Sequence, residues 1–178
     1  MECRRICKAL DGPVRAFRER ALEGEYPYVW LDATYLKVRQ NHRVVSMAIV
    51  VAIGVQETGE REILGFELGA SEEAAFWTTF LRALVHRGMR GVQLVISDAH
   101  EGLQAALSQV LAGTAWQRCR VHFMRNVLTH VARADRSVVA AALRTVFAQP
   151  DRDSAGKQLA LVARSMATLH EVFCPPEN

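Results

Sequence analysis

Two aspartates are the residues of this chain whose types and spacing best suit chemistry. Asp32 and Asp98 lie within or directly after apolar, strand-like segments, Tyr28-Val-Trp-Leu-Asp32 and Leu94-Val-Ile-Ser-Asp98. A carboxylate at such a position costs free energy unless its charge is compensated, and a divalent cation is the usual compensation in a phosphoryl-transfer site. Two close carboxylates also repel each other unless cations lie between them. The pair therefore predicts a metal site, which a third carboxylate normally completes.

Each aspartate also has a purely structural interpretation. Asp98-Ala-His-Glu101 has the spacing of a helix capping box, in which Asp98 accepts from the first backbone amides and Glu101 reaches back. This role does not exclude metal binding. Asp32 lies in a strand interior, where Asp is depleted, so its structural alternative is exposure to solvent on an edge strand.

A cysteine and a histidine stand three residues apart in Cys119-Arg-Val-His122. This spacing is half of a zinc site, but structural zinc needs four ligands and the sequence has no second pair at a matching spacing. We favour the alternative, in which Cys119 points into the core from a strand and His122 starts the next helix.

Basic residues near both segments are candidates for contact with DNA. They are Lys37, Arg39, Arg118, Arg120 and Arg125. Together they predict a basic surface beside the carboxylates, suited to a phosphate backbone. Alternating arginines on an outer strand are equally typical of a solvated face, so this alternative stays open.

The composition is that of a globular domain. The chain has 178 residues, half of them hydrophobic, and a net charge of +3, which agrees only weakly with a nucleic-acid partner. Its four cysteines lack the dense spacing of a disulfide scaffold, so we expect a reducing, cytoplasmic setting. We expect no membrane association, because no apolar segment has the length of a membrane span or a signal peptide.

The pattern of elements predicts how the aspartates meet. Strands are expected at 28–39, 42–55 and 61–69, then a helix from about 71 to 88, a strand at 92–97, a second helix, and a strand at 115–121. Helices are expected at 122–132, 135–148 and 153–173. The apolar second strand should be covered on both faces, and the last helix carries an apolar stripe that needs a partner.

This order predicts an α/β fold with an RNase H-like mixed sheet. A three-strand antiparallel meander is joined by parallel strands, with helices on both faces, and an all-helical segment follows. In that fold the first and fourth strands are parallel neighbours, which brings Asp32 and Asp98 together. We expect a basic connector at 1–26, a partial catalytic core at 27–134, and the start of a helical insertion, truncated, at 135–178.

Four longer segments carry a family resemblance. They are Leu31-Asp-Ala-Thr-Tyr-Leu-Lys-Val-Arg39, Glu73-Ala-Ala-Phe-Trp77, Gly91-Val-Gln-Leu-Val-Ile-Ser-Asp-Ala-His-Glu-Gly-Leu103 and Trp116-Gln-Arg-Cys-Arg-Val-His-Phe-Met-Arg-Asn-Val-Leu128. In this order they resemble mutator-type DDE transposases of bacterial insertion sequences. The family's first two acidic residues fall on Asp32 and Asp98, and its Cys-x-x-His signature falls on Cys119 and His122.

The resemblance implies a metal-dependent enzyme of DNA transposition. Such an enzyme hydrolyses a phosphodiester at the element's end and uses the freed 3′-OH to attack target DNA. Asp32 and Asp98 would be catalytic and would hold Mg²⁺ or Mn²⁺. The implied partners are the DNA of the element ends and of the target, together with self-association or association with full-length transposase.

Two features of the family pattern are missing from this sequence. The family's third carboxylate is a Glu downstream of a helical insertion, and neither Glu171 nor Glu177 has its context. An end-recognising N-terminal domain is also not seen, so we expect a truncated chain. The alternatives are an inactive fragment that binds DNA or joins full-length transposase, and a stand-alone nuclease whose third carboxylate is Glu101, Glu171 or Glu177.

Overall fold

The computed structural model describes the backbone of residues 2–40, 42–69 and 73–173, and the side chains of 8–39, 42–69 and 73–166. The chain divides into two compact units, residues 1–119 and 120–178, called here the first and second unit. This division falls after Cys119, whereas the domain bounds expected from the sequence, 1–26, 27–134 and 135–178, stay predictions.

The elements follow the predicted order after an additional N-terminal helix. The first unit contains α1 (Glu2–Glu19), β1 (Tyr28–Gln40), β2 (Arg43–Val55), β3 (Arg61–Gly69), α2 (Ala74–His86), β4 (Leu94–Ser97), α3 (Glu101–Val110) and β5 (Ala115–Arg118). The second unit contains α4 (Arg120–Thr129), α5 (Arg136–Phe147) and α6 (Arg152–Phe173). No helix in the described ranges is long and apolar enough to cross a membrane.

The five strands form one mixed sheet in the order β3-β2-β1-β4-β5. The first three strands pair antiparallel, β4 pairs parallel to β1, and β5 pairs parallel to β4. This is the RNase H-like strand order, so the predicted fold class is confirmed. Strand β1 is the third of the five strands, but at Asp32 it pairs with Val51 of β2, and its pairing with β4 ends at Trp30.

The core of the first unit lies between the sheet and helices α2 and α3. Alternate residues of β1 are buried, with Val29 at 0% and Leu31 at 2% exposure, while Trp30 between them is 37% exposed. This alternation is the period of a strand with one buried face. Side chains from both helices join the same cluster, and they are Trp77, Phe80, Leu81, Leu84, Leu103, Ala106 and Leu107.

Strand β2 is covered less evenly than its apolar sequence predicts. Ala48, Val50 and Ala52 are fully buried, whereas the intervening Ile49 and Val51 are only partly buried. One face of the strand is therefore fully buried from Ala48 onward, and the other face is partly buried.

The N-terminal segment is helical, although Asp11-Gly12-Pro13 predicts a break. Helix α1 continues through Pro13 and makes two side-chain contacts with β3. The rings of Phe17 and Phe66 stack with centroids 5.9 Å apart, and Arg18 forms an ion pair with Glu67. Tertiary contacts therefore override the local helix-breaking tendency of the sequence.

Arg87, the C-cap residue of α2, joins three separate segments of the first unit. Its guanidinium donates to the backbone oxygens of Leu64 at 2.8 Å, Arg20 at 2.9 Å and Phe17 at 3.3 Å. Burial lowers the pKa of this guanidinium from its ordinary value. The side chain links α2 to β3 and to the end of α1.

The second unit is a three-helix assembly with its own small core. Leu143, Val146 and Val162 are buried, and partly buried residues of all three helices pack around them. Val162 and Met166 of the last helix's apolar stripe thus pack in this core, whereas Leu159 of the stripe is 45% exposed. Leu169 and Val172 of that stripe lie outside the described side chains.

The end of β5 and the start of α4 differ from the boundaries predicted from the sequence. Strand β5 ends at Arg118, and α4 begins at Arg120, where the sequence predicts a strand to residue 121. Short apolar runs of this kind suit either element, so periodicity alone does not separate them.

Candidate metal centre

The register of β1 and β4 relates Asp32 to Asp98. Paired residues differ by 66 in number along this parallel ladder, from Tyr28 with Leu94 to Trp30 with Ile96. Asp32 and Asp98 have the same offset, two positions beyond the last pair. Pairing between the two strands ends at Trp30 and Ile96, so the adjacency of Asp32 and Asp98 stays a prediction from this common offset. Asp98 is the first residue after β4.

Both carboxylates are open to solvent. Asp32 is exposed, and the Asp98 side chain is 55% exposed. The free-energy cost of burying a carboxylate therefore does not apply to either residue. The alternation of β1 explains the exposure of Asp32, because Leu31 and Val29 take the buried face.

Asp98 does not act as a helix cap. The N-cap position of α3 is held by His100, which makes no side-chain capping bond. The Asp98 carboxylate instead accepts from the neighbouring Ala99 N–H at 2.7 Å. The capping-box interpretation of Asp98 and Glu101 is therefore wrong, because the helix begins too late for it.

Arg118 is the basic residue beside this carboxylate. It pairs with Ser97 across β4 and β5, and its Nε lies 3.8 Å from Asp98 Oδ1. The guanidinium is one-third exposed. It places a fixed positive charge next to one member of the aspartate pair.

Ser97 fixes the backbone from which Asp98 projects. Its side chain is almost completely buried, and the hydroxyl accepts from Trp116 Nε1 at 2.8 Å and donates to the Asp98 carbonyl at 2.9 Å. The Ser97 carbonyl accepts from the Cys119 N–H at 2.6 Å. Sequence reasoning missed Ser97 and Trp116. The available signal was a serine closing an apolar strand directly before the aspartate.

The two carboxylates fit a divalent cation as part of a ligand set. Mg²⁺ commonly takes one or two protein carboxylates and completes its coordination with water and substrate phosphate oxygens. Among the described side chains, no three His, Cys, Asp or Glu residues come together in a way that suits a metal ion. Glu101 is exposed at the start of α3, and Glu171 and Glu177 lie outside the described side chains.

The zinc interpretation of Cys119 and His122 also finds no further ligand in the described part of the chain. Cys119 is partly buried and free. His122 is the third residue of α4, so the helix begins before it and not at it.

The remaining basic candidates are spread over the molecule. Lys37 and Arg39 are exposed on the distal half of β1, and at about 3.3 Å per residue Lys37 lies roughly 17 Å along the strand from Asp32. Arg120 and Arg125 are exposed on α4 in the second unit. In the first unit, Arg118 is the candidate that lies beside a carboxylate.

Comparison with known proteins gives a consistent result. The family model described as "Transposase, Mutator family" matches residues 2–173. A transposase for an insertion sequence element of Burkholderia multivorans is 44% identical over 156 residues, which cover 87% of this chain and 40% of that protein. One from Rhizobium meliloti is 43% identical over 155 residues, covering 87% and 39%.

A transposase for an insertion sequence element of Staphylococcus aureus is 39% identical over 143 residues, covering 80% of this chain and 37% of that protein. The chain thus spans about two fifths of the length of the curated relatives it matches. Among solved structures, the HTLV-2 integrase catalytic core domain in complex with magnesium (trimeric form) matches over 79% of this chain and 86% of the integrase chain. Its TM-score is 0.31 and its identity 11%, so the fold assignment depends on the strand order and not on this likeness.

Proposed function

Because this chain belongs to the Mutator family of transposases, we propose that it carries two of the metal-binding carboxylates of a DDE-type transposase, Asp32 and Asp98. The proposed reaction is metal-dependent hydrolysis of a phosphodiester at the end of an insertion sequence. The freed 3′-OH then attacks target DNA. Mg²⁺ or Mn²⁺ is the proposed cofactor.

The observation that supports this proposal is the offset of 66 residues that Asp32 and Asp98 share with the paired residues of the parallel β1–β4 ladder. The two exposed carboxylates of Asp32 and Asp98 would offer oxygen ligands to a cation. Water and DNA phosphate would complete its coordination. A bound metal supplies charge compensation and activates both the attacking and the leaving oxygen.

The surrounding residues have proposed roles of their own. Asp32 and Asp98 bind the cation, and Arg118 beside Asp98 adds a positive charge for a DNA phosphate. Ser97 and Trp116 are positioning residues, because they hold the backbone of Asp98 through the serine hydroxyl. Rigid placement matters because small displacements of a reacting centre cost large factors in rate.

We propose further that these 178 residues lack the third carboxylate, and that transposition therefore requires a longer protein. Losing one ligand disturbs the in-line geometry, so we expect little or no strand transfer by this chain alone. Robust transfer of an element end by the isolated chain in Mg²⁺ contradicts this proposal. The proposed partners are the element ends and target DNA in the cytoplasm, with self-association of the transposase.

A chimeric protein tests the roles of the aspartates. In the Burkholderia multivorans relative, the matching segment is replaced by the aligned part of this chain, 87% of its length, and the rest of the relative is kept. We expect strand transfer by the chimera and its loss in Asp32→Asn and in Asp98→Asn. The exposed Asp153 of α6 provides the matched control, Asp153→Asn, which keeps activity. An active Asp32→Asn chimera refutes the assignment.

A further inference from the structure

A groove between α4 and α5 in the second unit has the composition of a ligand-binding surface. Its volume is about 420 Å³. The lining consists of arginine and apolar side chains, namely Arg120, Val121, Met124, Arg125, Leu128, Ala140, Arg144, Phe147 and Ala148. All of these residues belong to the second unit.

The charge of the groove is of one sign. Arg120, Arg125 and Arg144 are exposed, and no acidic side chain is among the described residues that line it. None of the three arginines forms an ion pair with another residue in the described part of the chain. Three guanidinium groups around one groove favour a ligand that carries more than one negative charge.

The floor of the groove is apolar. Met124 and Leu128 of α4 are partly buried, and Phe147 of α5 is 40% exposed. The Arg120 guanidinium lies over the Phe147 ring at 5.4 Å from its centroid, and Phe123 packs edge-on against the same ring at 6.1 Å. This arrangement holds Arg120 in place and leaves aromatic and aliphatic surface in contact with water.

We propose that this α4–α5 groove binds single-stranded DNA, with phosphates at Arg125 and Arg144 and an unpaired base against the apolar floor. The proposal rests on the proposed function, from which the choice of DNA follows. A duplex presents sugars and phosphates to a groove of this size and keeps its bases stacked inside. Only an unpaired strand offers a flat apolar group and phosphates together, the combination that other single-strand-binding surfaces recognise.

The test is fluorescence anisotropy of the full chain with a fluorescein-labelled 12-nucleotide oligothymidylate, in EDTA and over a series of NaCl concentrations. The variants are Arg125→Ala, Arg144→Ala and Phe147→Leu. Arg133→Ala is the matched control, because Arg133 is exposed in the α4–α5 connection and does not line the groove. Far-UV circular dichroism checks that each variant is folded.

We expect each arginine variant to lower the magnitude of the slope of log K against log salt by about 0.7, the contribution of one phosphate contact on a single strand. Phe147→Leu is expected to weaken binding about five-fold or more without changing that slope, because it removes a stacking surface and no charge. Arg133→Ala is expected to bind as the wild type does. If Phe147→Leu does not fold, the arginine slopes still decide the outcome.

Three results overturn the proposal. One is an unchanged slope in both arginine variants. Another is a duplex of the same sequence that competes as well as the single strand, which indicates a general backbone surface. The third is displacement of the oligonucleotide by an acidic amphipathic peptide at lower concentration than by unlabelled single strand, which indicates a protein partner.

The result is separable from the proposed catalytic role. Oligonucleotide binding by the groove variants is measured in EDTA, and metal binding by Asp32→Asn is measured in a separate titration without DNA. If the groove variants bind normally while Asp32→Asn loses metal, only the groove proposal fails. If single-strand binding is confirmed and Asp32→Asn retains metal, only the catalytic proposal fails.

Discussion

Replacing Ser97 by alanine removes the hydroxyl that ties the end of β4 to β5 and to Asp98. The hydroxyl takes part in two hydrogen bonds, one from Trp116 Nε1 at 2.8 Å and one to the Asp98 carbonyl at 2.9 Å. The serine is 1% exposed, so water does not readily replace it. Ser97→Ala therefore leaves the Trp116 indole N–H without its acceptor and the Asp98 carbonyl without its donor.

The size of the effect follows from these two bonds. Each is worth about 1 kcal/mol net, and an unsatisfied buried partner costs more. Trp116 is 38% exposed, so its indole N–H regains some hydration and the total is reduced. We expect Ser97→Ala to lower the free energy of unfolding by about 1.5 kcal/mol. At a urea m-value of about 2 kcal/mol/M this corresponds to a midpoint lower by roughly 0.8 M.

Urea unfolding followed by tryptophan fluorescence measures this change directly. All three tryptophans lie in the first unit, so the signal reports on the sheet. Ser108→Ala is the control, because the exposed Ser108 hydroxyl donates only to a carbonyl in its own helix at 3.0 Å. If the two variants unfold at midpoints within about 0.2 M of each other, the reasoning about Ser97 is refuted.

Two other predictions concern the first unit. Arg87→Met removes three hydrogen bonds to backbone carbonyls and is expected to lower the free energy of unfolding by about 3 kcal/mol. Urea unfolding measures this change, with Arg82→Met at an exposed position as the control. Equal midpoints in the two variants contradict the prediction. Burial and the hydrogen bond to Glu62 raise the pKa of Tyr26 to about 12, above its ordinary 10, so the neutral form is favoured in the folded state. The stabilisation from this shift is complete below pH 10 and is lost as pH rises from 10 towards 12. Urea unfolding midpoints across that range should therefore fall more steeply in the wild type than in Tyr26→Phe. Parallel curves for the two proteins refute this prediction.

The sheet was predictable because its strands and their links depend on local pattern. Short links between apolar strands dictate a meander, and right-handed crossovers dictate parallel neighbours. The order of strands then places β1 beside β4 without any knowledge of side-chain packing, and the pairing of Asp32 with Asp98 stays a prediction. Both strands were located from their β-branched and aromatic residues.

The features that were missed depend on tertiary contacts. Gly12 and Pro13 predict a break in isolation, yet α1 continues because Phe17 packs on Phe66 in a strand far along the chain. The bond from Trp116 to Ser97 joins two strands whose pairing is not visible in a local window.

The central claim, a paired-carboxylate metal site, is tested most directly by isothermal titration calorimetry of Mg²⁺ into the purified chain. Asp32→Asn, Asp98→Asn and the control Asp153→Asn are titrated alongside the wild type. We expect binding by the wild type and by Asp153→Asn, and loss of binding in both Asp32→Asn and Asp98→Asn. A folded wild type that binds no Mg²⁺, or binding that persists in either single variant, contradicts the account.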